Sequence, residues 1–397
     1  MSSRRRQTVA VIFGGRSVEH DVSIVTGHQI MNAFPADGYE ILPIYISRDG
    51  RWFTGDALGA LDNFKDGNIL RHDSVKACLL SPDTRHHGLI IDPLAGRFSK
   101  SDVKRIDVAF PALHGSHGED GSIQGLLELA DVPYVGYATL GSALTNDKIM
   151  TKTVLRQAGI PVLDDQWLNR ETWLERPEAC IDEILRRFEL PLFIKPATLG
   201  SSIGIGRADT EALLRASIDI AANFDRRILI EPALTDGIEI NCSVIGFGGR
   251  YEASTLEQPL SWDEFLSYED KYLRGGEGMK SAERLVPAPI SAELTERIKA
   301  ASIAAFKVMD GRGIARIDYL VRPERNEIYL NEINTMPGSL ALYLWREDDY
   351  TASDLVRKLV QLAIDAHAEK RRNHYDYQTN LVALASQRGG KGSKAGK

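Results

Sequence analysis

The stretch at residues 311–338 constrains this chain more than any other. It predicts two short, mainly apolar strands, at 314–321 and 327–333, joined by a polar turn. The residues between them, Arg-Pro-Glu-Arg-Asn, are typical of a turn. The pattern therefore predicts an antiparallel hairpin with apolar side chains on one face and polar side chains on the other.

Four polar residues of this hairpin predict a site for a metal ion and a polyphosphate. Arg316 and Asp318 lie two residues apart and so point the same way, as do Glu332 and Asn334. Two carboxylates and a carboxamide are hard oxygen donors, which suit Mg²⁺ or Mn²⁺ better than zinc. A solvated hairpin with ordinary surface charges is the alternative. Arg316 argues against it, because an unpaired charge in a mainly apolar strand is costly.

The composition bounds the class of protein. A chain of 397 residues, 43% hydrophobic and 26% charged, is long enough for two or three globular domains. A net charge of −7 argues against a general nucleic-acid-binding protein, and no apolar run approaches the roughly 20 residues of a membrane span. The basic start lacks the apolar run of a signal peptide, and three distant cysteines form no metal motif. We therefore expect a cytoplasmic protein without a nucleic-acid or membrane partner.

Two glycine-containing segments predict α/β units and a phosphate site. Residues 8–13 are an apolar run that ends at Gly14-Gly15 and precedes a helical pattern. Residues 190–206 have the pattern strand, glycine loop, strand, so backbone N–H groups there can approach phosphates, although the spacing is not that of a Walker loop. The double glycine leaves open a nicotinamide-dependent dehydrogenase, but no G-x-G-x-x-G follows the first strand. Apolar residues at helical spacing predict helices at 122–130, 143–158, 292–309 and 351–368.

Five strings resemble, in order, the motifs of the D-alanine–D-alanine ligase family of ATP-grasp ligases: GGRSVEHDVS, HGSHGEDGSIQG, KPATLGSSIGIG, RIDY and NEINTMPG. The resemblance spans residues 8–365 and implies an α/β, three-domain ATP-grasp architecture with a Rossmann-like N-terminal domain. We expect an N-terminal domain at residues 1–136, a central domain at 137–230, a C-terminal domain at 231–380 and a flexible tail at 381–397. ATP would lie between the second and third domains.

The resemblance also implies an activity. It is the ATP-dependent joining of two D-alanine molecules through an acyl phosphate, for peptidoglycan precursor synthesis, with ATP as substrate and two Mg²⁺ or Mn²⁺ ions. We expect a homodimer. Two alternatives stay open: a ligase with another acceptor, such as D-serine or D-lactate, and a non-catalytic nucleotide-binding protein on the same scaffold. The intact lysines and metal ligands argue against the second.

Each candidate site residue takes its role from the resemblance. The implied catalytic residues are Glu19, Ser201 and Arg316; the substrate-binding residues are His114, Glu119, Tyr272, Ser339 and Leu340; the ATP-binding residues are Lys148, Lys195, Ser202, Glu231, Leu234, Glu239 and Lys271; and the metal ligands are Asp318, Glu332 and Asn334. The polar segment at 257–283 would be a lid that carries Lys271 and Tyr272 inward, or else a disordered insertion. Taken singly, Glu19 is also explained as a helix-start acid, and Glu231 and Glu239 as ordinary strand-end carboxylates.

The chain departs from the family pattern after Gly338. The family places a longer stretch there, which supplies a serine hydroxyl and a backbone N–H to the carboxylate of the acceptor. Here Ser339 and Leu340 follow the turn at once, and the next residues, ALYLW, are apolar. Ser339 and Leu340 are therefore the local candidates for the acceptor carboxylate, and the shortened segment leaves the identity of the acceptor open.

Overall fold

A computed structural model of the chain describes residues 5–93, 102–200, 203–260, 284–377 and 379–389. Within these ranges the strands form one seven-stranded sheet, two four-stranded sheets and one two-stranded ladder. The helices pack on the sheets, so the expected α/β class is confirmed. None of the helices in the described ranges is both long enough and apolar enough to cross a membrane.

The seven-stranded sheet begins the chain and has the strand order β6-β5-β4-β3-β2-β1-β7. Its strands are β1 (Gln7–Gly14), β2 (Tyr39–Ile46), β3 (Trp52–Thr54), β4 (Lys76–Leu80), β5 (Gly88–Ile91), β6 (Asp102–Arg105) and β7 (Val108–Pro111). β1 is parallel to both β2 and β7, and five of its residues are fully buried, as its apolar run predicts. Gly14 ends β1 at φ +91°, where a Cβ atom would overlap the carbonyl oxygen of Ile46.

Helix α1 (His20–Ala33) follows this glycine turn, and α2 (Ser122–Leu129) follows the second glycine-rich motif. Both elements agree with the sequence prediction. Short 3₁₀ turns connect the outer strands at Asp56–Gly59, Leu61–Phe64 and Ile69–Arg71.

The single helix predicted at 143–158 is wrong. The structure has two helices, α3 (Thr139–Asn146) and α4 (Lys148–Gln157), with Asp147 between them in an extended conformation. The Asp147 carboxylate accepts hydrogen bonds from the N–H groups of Ile149 and Met150 and pairs with Arg227. Asp147 is therefore the N-cap of a new helix, which is the position where Asp is most favourable. This break makes Lys148 the first residue of α4.

The second sheet is antiparallel and has the order β10-β9-β11-β8. Its strands are β8 (Gln166–Asn169), β9 (Leu192–Pro196), β10 (Gly206–Ala208) and β11 (Arg227–Pro232). Its helices are α5 (Arg170–Glu175), α6 (Pro177–Arg187) and α7 (Glu211–Phe224). Lys195 and Glu231 lie near the ends of adjacent strands, β9 and β11.

The third sheet carries the predicted hairpin and has the order β13-β12-β16-β17. Its strands are β12 (Ile238–Phe247), β13 (Arg250–Ala253), β16 (Gly313–Arg322) and β17 (Glu327–Asn334), beside the ladder of β14 (Gln258–Pro259) and β15 (Arg284–Leu285). The apolar residues Ile317, Tyr319, Ile328, Leu330 and Ile333 are buried, as predicted. They pack against α8 (Ala292–Val308), whose Ser302 hydroxyl is 2.9 Å from the Tyr319 hydroxyl.

One long C-terminal helix joins the first and third sheets. The C-terminal elements are α9 (Leu342–Trp345), α10 (Ala352–Lys370) and α11 (Leu381–Gly389), with 3₁₀ turns at Pro323–Arg325, Gly338–Ala341 and Arg346–Asp348. Thr351 and Asp354 form a capping box at the start of α10, and Leu355, Leu359 and Val360 share one core with β1, β7 and β16. Helix α11 lies within the range expected to be a flexible tail.

Candidate active site

The register of β16 and β17 brings the four polar hairpin residues together. Asp318 lies directly opposite Glu332, and Arg316 lies opposite Asn334. Arg316 donates hydrogen bonds from Nε and Nη2 to the two carboxylate oxygens of Asp318, each at 2.8 Å, and Asn334 Nδ2 donates to Asp318 Oδ2 at 2.9 Å. Although burial opposes the charge, the Asp318 carboxylate keeps the pKa of Arg316 well above its usual value. The arginine in the apolar strand is therefore paired.

A β-bulge places one further polar residue on this face. The register shifts between Asp318 and Tyr319, so that Tyr319 pairs with Leu330, and Asn331 is the extra residue of β17. Asn331 and Glu332 are consecutive and both half-buried. Lys195 Nζ donates to Asn331 Oδ1 at 3.2 Å. The bulge keeps Leu330 in the core and turns Asn331 toward the second sheet, which strict alternation does not predict.

The donor set of the hairpin fits a hard divalent cation. Burial raises the pKa of Asp318 despite Arg316, and the negative charges of Glu332 and Glu257 raise it further, so a bound cation would stabilise the ionised carboxylate. Among the described residues, no group of three or more His, Cys, Asp and Glu side chains is arranged to hold a metal ion. The third ligand of the predicted set is the carboxamide of Asn334. The metal assignment stays a prediction.

The predicted first-substrate side is built on β1, α1 and the loop after β7. Glu19 is 7% exposed as a residue, and its carboxylate lies against Gly115 and Gly200, where a Cβ atom on Gly115 would overlap it. Gly115 has φ +69°, so glycine is required both by conformation and by this close approach. The Ser23 hydroxyl donates to the Ala112 carbonyl at 2.7 Å and accepts from the Gly14 N–H at 2.8 Å. Glu19 thus meets two glycine loops that are far apart in the sequence.

His114 and Glu119 are buried in the same region. His114 Nε2 is 2.9 Å from Thr26 Oγ1, and burial lowers the pKa of His114 to about 4, so its ring is neutral near pH 7. Glu119 accepts hydrogen bonds from the N–H groups of Gly115 at 2.8 Å and Met336 at 3.1 Å. Burial and the adjacent charge of Glu19 raise the pKa of Glu119 to about 8. Glu119 therefore links the loop after β7 to the segment that follows the metal hairpin.

The predicted phosphate and adenine residues form a buried network of lysines and a glutamate. Lys148 Nζ donates to the Leu199 carbonyl at 2.7 Å, and Lys195 forms an ion pair with Glu231. The second Glu231 oxygen pairs with Lys152 Nζ at 2.5 Å. Burial alone would raise the pKa of Glu231, but Lys195 and Lys152 hold it at about 2. Sequence reasoning missed Lys152. Its spacing of four residues from Lys148 was the available signal, since i and i+4 share a helix face.

The remaining predicted residues are not gathered in one place. Leu234 is half-buried in the turn after β11, and Glu239 is exposed on β12. The Ser339 hydroxyl donates to Gln29 Oε1 at 2.7 Å, and the Leu340 N–H donates to the Pro337 carbonyl at 2.9 Å. Outside the described residues lie Ser201, Ser202, Lys271 and Tyr272.

One cavity is lined by residues from the N-terminal, central and C-terminal parts of the chain. Its lining includes Glu119 from the N-terminal part, Lys148 and Gly200 from the central part, and Glu332 and Asn334 from the hairpin. The charged groups around the cavity interact with one another. Lys148 interacts electrostatically with Glu332, Lys195, Glu231 and Glu19. The arrangement can bring an anionic phosphate, a cation and a carboxylic substrate to one point.

Comparisons with known proteins agree with this geometry. Residues 8–137 match the family model described as D-ala D-ala ligase N-terminus, and residues 154–361 match the D-ala D-ala ligase C-terminus. The chain is 38% identical over 384 residues to a D-alanine–D-alanine ligase of Ruminiclostridium cellulolyticum, with 94% of this chain and 99% of the relative covered. It is 35% identical over 394 residues to that of Thermosipho africanus, covering 95% and 98% of the two chains.

Solved structures give the same result. The D-alanine–D-alanine ligase of Coxiella burnetii superimposes with a TM-score of 0.77 at 30% identity, covering 92% of this chain and 98% of its own. The VanG D-Ala:D-Ser ligase of Enterococcus faecalis also has a TM-score of 0.77, at 29% identity, covering 90% and 100%. The fold is therefore the ATP-grasp fold, and the chain belongs to the D-alanine–D-alanine ligase family.

Proposed function

We propose that this protein is an ATP-dependent ligase that joins two D-alanine molecules to D-alanyl-D-alanine, as a step of peptidoglycan precursor synthesis. The observation that carries the proposal is a cavity lined by Glu119, Lys148, Glu332 and Asn334, which come from the loop after β7, the start of helix α4 and strand β17. A nicotinamide-dependent dehydrogenase is excluded by the family to which the chain belongs. We expect a cytoplasmic homodimer without nucleic-acid or membrane partners.

The reaction has two steps. A carboxylate oxygen of the first D-alanine attacks the γ-phosphorus of ATP, the bond to the bridging oxygen breaks, and ADP leaves. The amine of the second D-alanine, after losing a proton, attacks the carbonyl carbon of the acyl phosphate, and the tetrahedral intermediate expels phosphate. Two Mg²⁺ or Mn²⁺ ions, when bound, would neutralise charge on the transferring phosphoryl group.

The side chains support these steps by position and charge. Glu19, held against two glycine loops, would orient the ammonium group of the first substrate. Lys148 and Lys195 would neutralise phosphate oxygens, and Asp318, Glu332 and Asn334 would hold the metal ions. Arg316 keeps its full charge in a buried position, so it can stabilise the developing oxyanion where electrostatic interactions are strong.

One specific observation favours an acceptor other than D-alanine. The segment after Gly338 is shorter than in the family pattern. The two groups expected to bind the acceptor carboxylate, on Ser339 and Leu340, have other hydrogen-bond partners in the structure. One structural relative is itself described as a D-Ala:D-Ser ligase. D-serine and D-lactate are therefore the alternatives to D-alanine at this position.

The proposal is tested by phosphate release with ATP, Mg²⁺ and D-alanine, followed by mass spectrometry of the product. D-serine and D-lactate are then supplied in competition with D-alanine. We expect D-alanyl-D-alanine as the main product at neutral pH. A main product with D-serine or D-lactate would overturn the acceptor assignment but not the ligase assignment. Tight ATP binding without phosphate release from any D-amino acid would instead support the non-catalytic nucleotide-binding alternative.

A further inference from the structure

A cluster of three side chains lies beside the hairpin and has no role in the assignments above. It consists of Glu257, Arg284 and Tyr343, and is called here the Arg284 cluster. The Arg284 guanidinium lies 4.0 Å from the centroid of the Tyr343 ring, and its Nη1 is 3.3 Å from Glu257 Oε2. The Tyr343 hydroxyl donates to Glu257 Oε1 at 2.8 Å. Stacking and an ion pair therefore fix the orientation of the guanidinium.

The cluster is adjacent to the reacting groups. Glu257 pairs through its backbone with Asn241, and Asn241 lies opposite Asp318 in the sheet. Asn241 Nδ2 donates to Glu257 Oε1 at 2.9 Å. Glu257 interacts electrostatically with Arg316, and the charges of Arg316 and Arg284 both act on the titration of the Tyr343 hydroxyl. The Arg284 cluster is thus one strand away from the metal ligands and continuous with Arg316.

The shortened segment after Gly338 explains why Tyr343 reaches this position. Ser339, Leu340 and Ala341 all have left-handed backbone conformations, with φ of 50°, 55° and 48°, and α9 begins immediately after them. Non-glycine residues rarely adopt this conformation, and three in succession form a tight reversal of the chain. The reversal directs the Ser339 hydroxyl to Gln29. The first residues of α9 then bring Tyr343 to Glu257 and Arg284.

We infer that Arg284 binds the carboxylate of the acceptor amino acid, which rests on the ligase function proposed above. The guanidinium presents N–H donors in a planar fork that matches a carboxylate, and such charge-assisted pairs give both affinity and orientation. Glu257, 2% exposed, accepts from Asn241, Tyr343 and Arg284, so it is a positioning residue. The acceptors of this site are small acids with a free carboxylate, and a neutral amide is discriminated against.

The test compares two acceptors, D-alanine and D-alaninamide, in the full-length enzyme with ATP, Mg²⁺ and saturating D-alanine at the first site. Arg284→Met should raise the KM of the D-alanine acceptor by about 10- to 100-fold, the scale of a hydrogen bond to a charged group. Turnover of D-alaninamide, which lacks the carboxylate, should be the same in wild type and variant. The KM of ATP and the first-site KM should stay within about twofold.

Two further variants guard against a merely structural effect. Arg284→Lys keeps the charge and loses the fork, so its acceptor KM should lie between those of wild type and Arg284→Met. Arg322→Met is the matched control, because Arg322 has a similar exposure and also forms ion pairs, but with Asp236 and Glu327. It should leave the acceptor KM unchanged.

The possible failures are distinguishable. If the wild type forms dipeptide while Arg284→Met behaves like Arg322→Met, the inference is overturned and the proposed function stands. The same holds if Ser339→Ala raises the acceptor KM and Arg284→Met does not. An equal loss of D-alanine and D-alaninamide turnover in Arg284→Met would also overturn it, since a carboxylate site must discriminate between them. A wild type that releases no phosphate with any D-amino acid would overturn the proposed function, and this inference with it.

Discussion

Lys152 offers the sharpest test of the buried network at the predicted adenine site. Its side chain is 3% exposed and pairs with Glu231, which is 1% exposed and also pairs with Lys195. Lys152 Nζ donates a further hydrogen bond to the Leu163 carbonyl at 3.1 Å. Replacement by Met keeps most of the length and apolar contact of the side chain and removes only the charge and its donors.

The expected loss of folding stability in Lys152→Met follows from these contacts. The two lysines lower the pKa of Glu231 from 4.5 to about 2, against burial, which corresponds to about 3 kcal/mol of stabilisation. Assigning roughly half of this to Lys152, and adding ~1 kcal/mol for the hydrogen bond lost at Leu163, gives a loss of about 2.5 kcal/mol. This is slightly below the ~3–5 kcal/mol observed when one partner of a buried ion pair is removed.

The assay is urea denaturation followed by circular dichroism, with ATP affinity measured in parallel. Arg187→Met is the control, because Arg187 pairs with Asp164 and the two side chains are 45% and 60% exposed. An exposed pair contributes about 0–1 kcal/mol. We expect a clear fall of the denaturation midpoint and weaker ATP binding for Lys152→Met, and little change for the control.

The pH dependence gives an independent check. The folded-state pKa of Glu231 lies below its unfolded value, so its stabilisation is present above the unfolded pKa and is lost as the pH falls through about 2. The advantage of the wild type over Lys152→Met should therefore narrow as the pH is lowered from about 4.5. A Lys152→Met midpoint equal to that of Arg187→Met at neutral pH would refute the argument that this buried pair stabilises the fold.

Three other predictions concern residues of the cavity and its surroundings. Asp318→Asn and Glu332→Gln should each abolish turnover while leaving the circular dichroism spectrum unchanged, and wild-type turnover at ordinary magnesium would contradict their assignment as ligands. Arg316→Lys should lower kcat by ~10² or more with little change in the KM of ATP, because the planar fork of donors is lost. A raised KM for ATP at constant kcat would make Arg316 a nucleotide-binding residue instead. The folded-state pKa of His114 is lowered to about 4, so its neutral form stabilises the fold above the unfolded pKa of about 6.5 and this contribution is lost as the pH falls through 4. His114→Gln should accordingly flatten the pH dependence of Tm between about pH 4 and 6.5, and an unchanged slope would refute that reasoning.

The sequence determined those features that depend on local periodicity. The two mainly apolar runs and the turn residues between them predicted both strands of the hairpin and its turn, whereas the position of Leu330 in the core beside Asn331 depends on the bulge. The order of five motifs predicted the family and with it the ATP-grasp fold. The sequence prediction of one helix was wrong at Asp147, because the apolar spacing fits either one continuous helix or two helices with Asp147 as the N-cap of the second. In the structure the Asp147 carboxylate also pairs with Arg227.

Only the tertiary structure decided which distant side chains meet. The pairing of Lys152 with Glu231, the bulge that turns Asn331 toward Lys195, and the contact of Glu19 with Gly200 join residues that are far apart in the sequence. The Arg284 cluster depends in addition on a shortened chain reversal. Such contacts depend on how the sheets pack against one another, so the strand period of 2 and the helix period of 3.6 residues cannot predict them. The sequence therefore indicated which kinds of functional group the chain contains, and the folded structure decided which of these groups pair with one another.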